Sequence, residues 1–113
     1  MRVIRFLPLV CAVGFGLSLP GRFQSVEADA ANLVSGKNVF EGNCSDCHNA
    51  DSRESKEGPG LKGVGGGTLP SGRKASADVI RSVIEGGGAG MPPFKDRLSE
   101  KEKEDVIAYV MTL

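Results

Sequence analysis

The stretch Cys44-Ser45-Asp46-Cys47-His48 limits the possible folds of this chain more than any other part of its sequence. It contains two of the three cysteines and the only histidine of the chain. At the end of a helix, residues three and four positions apart lie on the same face. Two thiols and an imidazole can therefore turn toward a single bound group, and the fold must leave room for that group beside them.

Paired cysteines at this spacing occur in several kinds of site. A thioredoxin-like C-x-x-C belongs with a βαβ pattern, which this sequence lacks. A structural zinc ion needs about four ligands, and residues 31–113 contain no other cysteine or histidine. A plain disulfide is possible but would leave the adjacent histidine unused. C-x-x-C-H is the attachment signature of c-type haem. We therefore predict one haem c per chain, bound covalently through Cys44 and Cys47, with His48 as an axial ligand of its iron.

The first 30 residues have the three parts of a secretory signal. Arg2 and Arg5 provide a positive start, Phe6 to Leu19 form an apolar run, and Ala28-Asp29-Ala30 supplies small residues before a cleavage site. The run is shorter than the roughly 20 residues that span a bilayer. We predict a signal peptide over residues 1–30, cleavage near Ala30, export to the periplasm and no stable membrane insertion. Residues 31–113 would then form one domain.

Charge and composition restrict the function further. Basic and acidic side chains are equal in number, 14 of each, which argues against nucleic acid as a partner because that usually requires a basic face. The chain has no tryptophan, one tyrosine and 16 glycines. A small domain with so few aromatic residues buries little apolar surface. We expect the haem to supply part of the core.

Three helical stretches and no convincing strand predict an all-α fold. The first runs from Asn32 to about Gly42, and its apolar periodicity places Gly36, Val39, Phe40 and Asn43 on one face. The glycine on that face indicates close approach of another helix.

The other two helices have clearer boundaries. The second begins at Ser76 and continues to about Glu85, where three consecutive glycines end it. The third begins with a capping box formed by Ser99 and Glu102. Between the first two helices, residues 49–73 form a long glycine-rich loop. Loops of this length tend to be functional or to wrap around a bound group.

The second axial position of the iron has two candidate methionines. Met111 lies in the last helix, where it could equally belong to the core. Met91 lies between two helices, in a loop that prolines stiffen and where glycines allow a flat cofactor to approach. Loop methionines often only fill gaps. The spacing favours Met91 as the ligand, since Met/His ligation is a known haem arrangement.

The chain resembles the class I monohaem cytochromes c, of the small bacterial and cytochrome c6-like kind, over nearly all of residues 32–113. The resemblance rests on five elements in the order of the family: Gly36 with Phe40, Cys44-Ser45-Asp46-Cys47-His48, Gly58-Pro59-Gly60-Leu61, Gly90-Met91-Pro92, and Val106 with Tyr109. It implies the small cytochrome c fold, with three or more helices and long loops around one haem.

The family also implies roles for individual residues. The carbonyl group of Pro59 would accept a hydrogen bond from His48 and so orient the ligand. Leu61 would pack on the haem, and Met91 would be the distal ligand. Gly36 and Phe40 would contact Val106 and Tyr109 where the first and last helices cross.

These features predict an electron carrier rather than an enzyme. Iron held by His48 and Met91 is six-coordinate, which leaves no position for a substrate. We expect a monomer that makes transient contacts with a donor and an acceptor redox protein. The alternatives are a peroxidase-like haem enzyme and a gas-sensing cytochrome. Both require an open or labile iron site, and the absence of a second histidine counts against the enzyme.

Overall fold

The computed structural model describes residues 24–113, with side chains from residue 32 onward. Its helices are, in chain order, α1 (Gln24–Asn43), α2 (Ala77–Gly86) and α3 (Glu100–Val110), with a single 3₁₀ turn at Val64–Gly66 between the first two. Extended backbone pairs within this part of the chain only as isolated bridges. The predicted all-α fold is confirmed. Residues 1–23 of the predicted signal segment lie outside the described residues.

Helix α1 begins earlier than the sequence predicted, at Gln24 instead of Asn32. Residues 27–31 are rich in alanine and contain no proline or glycine, so the sequence has nothing there to stop the helix. It ends at Asn43, close to the predicted end near Gly42, but the side chain of this last residue does not lie where the sequence predicted. Asn43 does not join the packed face, because its side chain is exposed and donates a hydrogen bond to the carbonyl oxygen of Val39 at 2.9 Å.

Helices α1 and α3 pack directly against each other. Gly36 is buried at the contact, and a Cβ atom there would overlap the carbonyl oxygen of Asp105. Nearby, the rings of Phe40 and Tyr109 meet edge to face, with centroids 5.5 Å apart. Val106 is completely buried. Glycine on the packed face of α1 therefore allows two helix backbones to touch, as predicted.

Helix α2 also packs against α3. Its first turn is capped by Ser76, whose hydroxyl accepts a hydrogen bond from the N–H group of Val79, and the helix ends at Gly86. Ile80 and Ile84 face the core. Together with these two residues the core contains Phe40, Ala75, Phe94, Leu98, Val106, Ile107 and Val110.

The capping box at the start of α3 is present as predicted. The hydroxyl of Ser99 accepts from the N–H group of Glu102, whose carboxylate accepts from the N–H group of Ser99. These bonds satisfy backbone donors that a helix start leaves unpaired. Within the described part of the chain, no helix is long and apolar enough to cross a membrane.

Candidate functional site

The C-x-x-C-H segment forms a tight turn directly after α1. The N–H group of Cys44 donates to the carbonyl oxygen of Phe40 at 2.8 Å, and that of His48 donates to the carbonyl oxygen of Cys44 at 2.9 Å. Helical hydrogen bonding thus extends for one turn beyond Asn43. The turn holds both thiols and the imidazole close together at one end of the α1–α3 pair.

The ring of His48 is oriented by Pro59. Nδ1 of His48 lies 2.8 Å from the carbonyl oxygen of Pro59. A carbonyl oxygen can only accept, so Nδ1 must carry the proton and Nε2 keeps its lone pair. The imidazole is therefore in the tautomer that binds a metal through Nε2, and the carbonyl group increases its basicity.

Two backbone hydrogen bonds enclose the contact between His48 and Pro59. The N–H group of Gly58 donates to the carbonyl oxygen of Cys47 at 2.8 Å, and that of Leu61 donates to the carbonyl oxygen of Asn49 at 2.7 Å. Three successive residues of the turn are thus bound to the same short segment of the following loop. This clamp leaves the imidazole little freedom to rotate.

Gly58 makes the clamp sterically possible. A Cβ atom at this position would lie 2.6 Å from Cε1 of His48 and 3.0 Å from its Nδ1. A Cβ atom does not come that close to an imidazole in real proteins. Only glycine therefore allows the backbone to lie against the ring of His48 at this point. Gly58 belongs to one of the motifs recognised in the sequence, but the motif does not indicate its contact with the imidazole.

Cys44 and Cys47 are both half-buried and are not joined to each other by a disulfide. Burial, together with the neighbouring Cys47, raises the pKa of Cys44 to about 11. The side chain of Cys44 also packs against the edge of the hydrophobic core. Such a thiol sits in an apolar environment suited to an apolar ring.

Met91 lies on a separate loop, at the end of a tight turn that two backbone hydrogen bonds close. The N–H group of Met91 donates to the carbonyl oxygen of Gly88 at 2.9 Å, and the N–H group of Gly88 donates back to the carbonyl oxygen of Met91. Ala89 and Gly90, with φ angles of 51° and 90°, form the two central residues of this turn. These values match a type I′ turn.

Gly87 has a role in this loop that the sequence did not indicate. A Cβ atom on Gly87 would lie 2.5 Å from the carbonyl oxygen of Met91 and 2.8 Å from atoms of Pro92 and Pro93. The close approach at Gly87 is thus between two parts of the loop itself. Glycine at this position lets the chain fold back tightly, which places Met91 beside the core.

The apolar residues around the site are only partly covered by protein. Leu61, Val64, Leu69 and Met91 all pack against the buried core and remain half-exposed. A cavity of about 350 Å³ beside the imidazole has a mostly polar lining that includes neither thiol, Leu61 nor Met91, so it is not the place for an apolar ring. Two thiols, an oriented imidazole and this incompletely covered apolar surface fit a covalently bound haem.

The structure brings most of the predicted site residues together. Cys44, Cys47 and His48 share one turn, and the clamp attaches Pro59 and Leu61 to it. Met91 comes from the loop after α2 and meets the same core. Sequence reasoning missed Lys56, whose ammonium group donates to the carbonyl oxygen of Ser45 at 2.9 Å. No motif marks this lysine, because its contact depends on how the loop folds back.

Comparisons with known proteins agree with this geometry. Residues 31–110 match a protein family described as cytochrome c oxidase, cbb3-type, subunit III. Cytochrome c6 of a Synechocystis species is 36% identical over 104 residues, which cover 86% of this chain and 84% of that protein. A cytochrome c6-like protein of a Nostoc species is 34% identical over 84 residues, covering 74% and 73% of the two chains. The crystal structure of cytochrome c6 from the diatom Phaeodactylum tricornutum shares 31% identity with a TM-score of 0.55, covering 71% of this chain and 91% of its own.

Proposed function

The chain belongs to the class I monohaem cytochromes c and is similar to cytochrome c6, and we propose that it is a periplasmic one-electron carrier with His48 and Met91 as axial ligands. As a member of this family it carries a covalently attached haem c and transfers electrons instead of acting as an enzyme. The attachment residues of the proposal are Cys44 and Cys47.

The observation that carries the proposal is the contact between His48 and Pro59. Nδ1 is engaged by a carbonyl oxygen at 2.8 Å, so Nε2 is available to iron. The clamp around this contact restrains the ring. A preorganised ligand keeps the same geometry in both oxidation states, which favours rapid electron transfer.

Met91 is proposed for the opposite face of the iron. Haem c supplies an iron centre that gains and loses one electron without a bond being made or broken in a substrate. A thioether ligand stabilises ferrous iron and raises the reduction potential. The type I′ turn at residues 88–91 holds the backbone of this methionine beside the core, and Leu61 would pack on the ring.

The proposed location is the periplasm, after cleavage near Ala30. The support for it is the three-part signal pattern of residues 1–30. The proposed partners are a donor and an acceptor redox protein that contact the carrier briefly, as small interfaces allow. The carrier is proposed to act as a monomer.

Spectra of the purified holoprotein test this function. We expect the ferric protein to show the weak red charge-transfer band that marks a methionine–iron bond. The band should persist when cyanide is added to the ferric protein at modest concentration, and carbon monoxide should leave the spectrum of the ferrous protein unchanged. Rapid binding of cyanide by the ferric protein and of carbon monoxide by the ferrous protein would instead indicate an open iron site, as in a haem enzyme or a gas sensor, and would contradict the proposal.

Two methionine variants then assign the ligand. Met91→Leu removes the thioether but keeps an apolar side chain of similar volume, so the haem should stay attached while the band disappears and the reduction potential falls. Met111→Leu is the matched control, because Met111 also lies half-buried at the edge of the core. A band that survives in Met91→Leu and disappears in Met111→Leu would assign the ligand to Met111.

A further inference from the structure

Four charged side chains join α2 to α3 in a closed ring. Arg81 lies 3.2 Å from the carboxylate of Glu85 and 3.0 Å from that of Glu100. Lys103 lies 3.3 Å from the carboxylate of Glu85 and 2.6 Å from that of Glu100. Each cation thus contacts both anions. We call these four residues the ion quartet.

Lys103 is the buried member of the quartet. Only 3% of its side chain is exposed, against 29% for Glu85 and 72% for Glu100. Lysine is almost never fully buried unless it is paired. The ammonium group of Lys103 interacts with two carboxylates in place of water, so the position of this side chain depends on both of them. Glu85 is in turn held at the place where the lysine reaches it.

The position of Glu85 in α2 is unfavourable on its own. Glu85 lies in the last turn of the helix, which contains no basic residue. A carboxylate at a helix C-terminus is repelled by the negative end of the helix dipole, whereas a cation there is favourable. Arg81, one turn earlier in α2, supplies one cation, and Lys103 supplies a second from α3. The quartet therefore ties the last turn of α2 to α3 through Lys103, a contact between the two helices that Arg81 and Glu85 alone do not make.

The loop that contains Met91 is attached to this same turn at both ends. The N–H group of Gly87 donates to the carbonyl oxygen of Val83 at 2.8 Å. At the other end, the N–H group of Phe94 donates to the carbonyl oxygen of Ile84 at 2.9 Å. The two acceptors immediately precede Glu85 in the chain. A shift in the last turn of α2 would move both attachment points of the loop together.

We propose that Lys103 is a positioning residue for Met91: by holding Glu85 it fixes the last turn of α2, and through that turn the loop that presents the methionine to the iron. The inference rests on the proposed ligation by His48 and Met91. It assigns to a charged residue far from the C-x-x-C-H turn a role in keeping the sixth coordination position closed.

Competition with imidazole tests this inference in the ferric holoprotein. Imidazole can bind the iron only when the methionine has left, so its apparent affinity rises with the fraction of molecules in which the bond is open. Lys103→Met removes the charge and keeps a flexible apolar side chain in the buried position. We expect this variant to bind imidazole about tenfold more tightly than the wild type, on the order of the effect of losing one partly buried ion pair.

Lys101→Met is the matched control for this measurement. Lys101 lies on the same helix, but its partners are the buried carboxylate of Asp105 at 3.2 Å and the side-chain oxygen of Asn32 in α1 at 3.1 Å. Its replacement makes the same change of charge without touching α2. We expect an imidazole affinity close to that of the wild type. Unfolding followed by far-ultraviolet circular dichroism reports the global stability of both variants.

A second variant, Glu85→Gln, removes the charge on the α2 side of the contact between Lys103 and Glu85. The side chain that it changes is partly exposed. It should also tighten imidazole binding, and the double variant with Lys103→Met should add little to either single change. Unchanged imidazole affinity in Lys103→Met and Glu85→Gln would overturn the positioning role. So would an equal increase in Lys101→Met, because the effect would then follow global stability. A wild-type protein without the red band would overturn the ligation itself, and this inference with it.

Discussion

At the scale of single residues, the site depends on a few atoms in short loops. The carbonyl oxygen of Pro59 selects the tautomer of His48, and the missing side chain of Gly58 lets the chain pass the ring. Neither residue offers chemistry of its own to a metal. Both act by fixing where the imidazole lies and which of its nitrogens is free.

Replacing Gly58 with alanine should therefore disturb the imidazole directly. The added methyl group would meet the ring at 2.6 Å, so either the ring or the loop must shift. We expect the free energy of unfolding to fall by about 1–3 kcal/mol. The hydrogen bond to Pro59 should also weaken, which NMR of the ferrous protein would detect as a displaced Nδ1 proton signal. Gly66→Ala is the control, since a Cβ atom at Gly66 has no neighbour within 4 Å; equal effects of the two changes would contradict the steric account.

Replacing Cys47 with alanine should leave one covalent link in place of two. The turn and His48 remain, so haem can still bind, but less of it should survive denaturing electrophoresis. The pyridine haemochrome spectrum should shift toward that of a haem with one unreacted vinyl group. Ser45→Ala, in the same turn, should alter neither result. An unshifted spectrum with full haem retention in the Cys47 variant would show that this thiol is not an attachment point.

At the scale of secondary-structure elements, the fold depends on two contacts between helices, and these differ in the chemistry of the residues that make them. The contact between α1 and α3 is close and apolar, with Gly36 buried against the backbone at Asp105. The contact between α2 and α3 combines apolar residues with the ion quartet. The first holds the C-x-x-C-H turn, whereas the second carries the loop of Met91.

Two alanine substitutions within α1 should have opposite effects. At Gly36 the new methyl group would overlap the backbone of α3, so we expect a loss of about 2 kcal/mol or more in the free energy of unfolding. At Gly42 a Cβ atom has no neighbour within 4 Å, and alanine should be neutral or stabilise the helix by about 0.5 kcal/mol. Thermal unfolding of the two variants checks this. If both variants lost the same stability, the effect of alanine at Gly36 could not come from the contact between the helices.

Acid should weaken the contact between α2 and α3. Hydrogen bonds from Lys103 and Arg81 lower the pKa of Glu100 below its ordinary value of 4.5. The folded state therefore favours the ionised form, and this contribution to stability is complete above pH 4.5 and is lost as the pH falls through the lowered pKa.

The acid dependence can be isolated with a pair of glutamine variants. Glu100→Gln should lose stability less steeply than the wild type as the pH falls below 4.5, because the group that titrates is gone. Glu104→Gln, at an exposed position on the same helix, should follow the wild-type curve. Thermal midpoints measured across this range give the slopes. Parallel curves for Glu100→Gln and the wild type would show that Glu100 does not contribute to the acid response.

At the scale of the whole molecule, the described chain is a small helical domain that leaves apolar side chains half-exposed around its site. Leu61, Leu69 and Met91 all pack against the core and remain partly exposed. A covalently attached haem would account for this pattern if its ring covered their exposed parts. We therefore expect the cofactor to form part of the core as well as to carry the electron.

The mature protein should begin close to residue 31. Cleavage after Ala30 would shorten α1 from its start at Gln24 to a start near Asn32, where an asparagine can cap the new end. Mass spectrometry of holoprotein purified from the periplasm checks this directly. Replacing Ala28 and Ala30 with bulky residues should block processing. An intact mass that still includes residues 1–30 would contradict the signal assignment.

The fold could be predicted closely where local rules decide. The spacing of residues in the sequence correctly predicted three features: the capping box at Ser99, the glycines that end α2 and the glycine on the packed face of α1. The start of α1 and the position of Asn43 were predicted wrongly. A helix boundary depends on a small balance of propensities, which neighbouring contacts easily change.

The sequence by itself determined that this chain holds a haem, because two thiols and a histidine in five residues leave few other uses for such a turn. Tertiary structure decided how that site is held. Three contacts join residues at least ten positions apart in the chain: that of Gly58 with the imidazole, that of Lys56 with the C-x-x-C-H turn, and that of Lys103 with Glu85. No local pattern encodes such contacts, since they exist only once the loops and helices have packed.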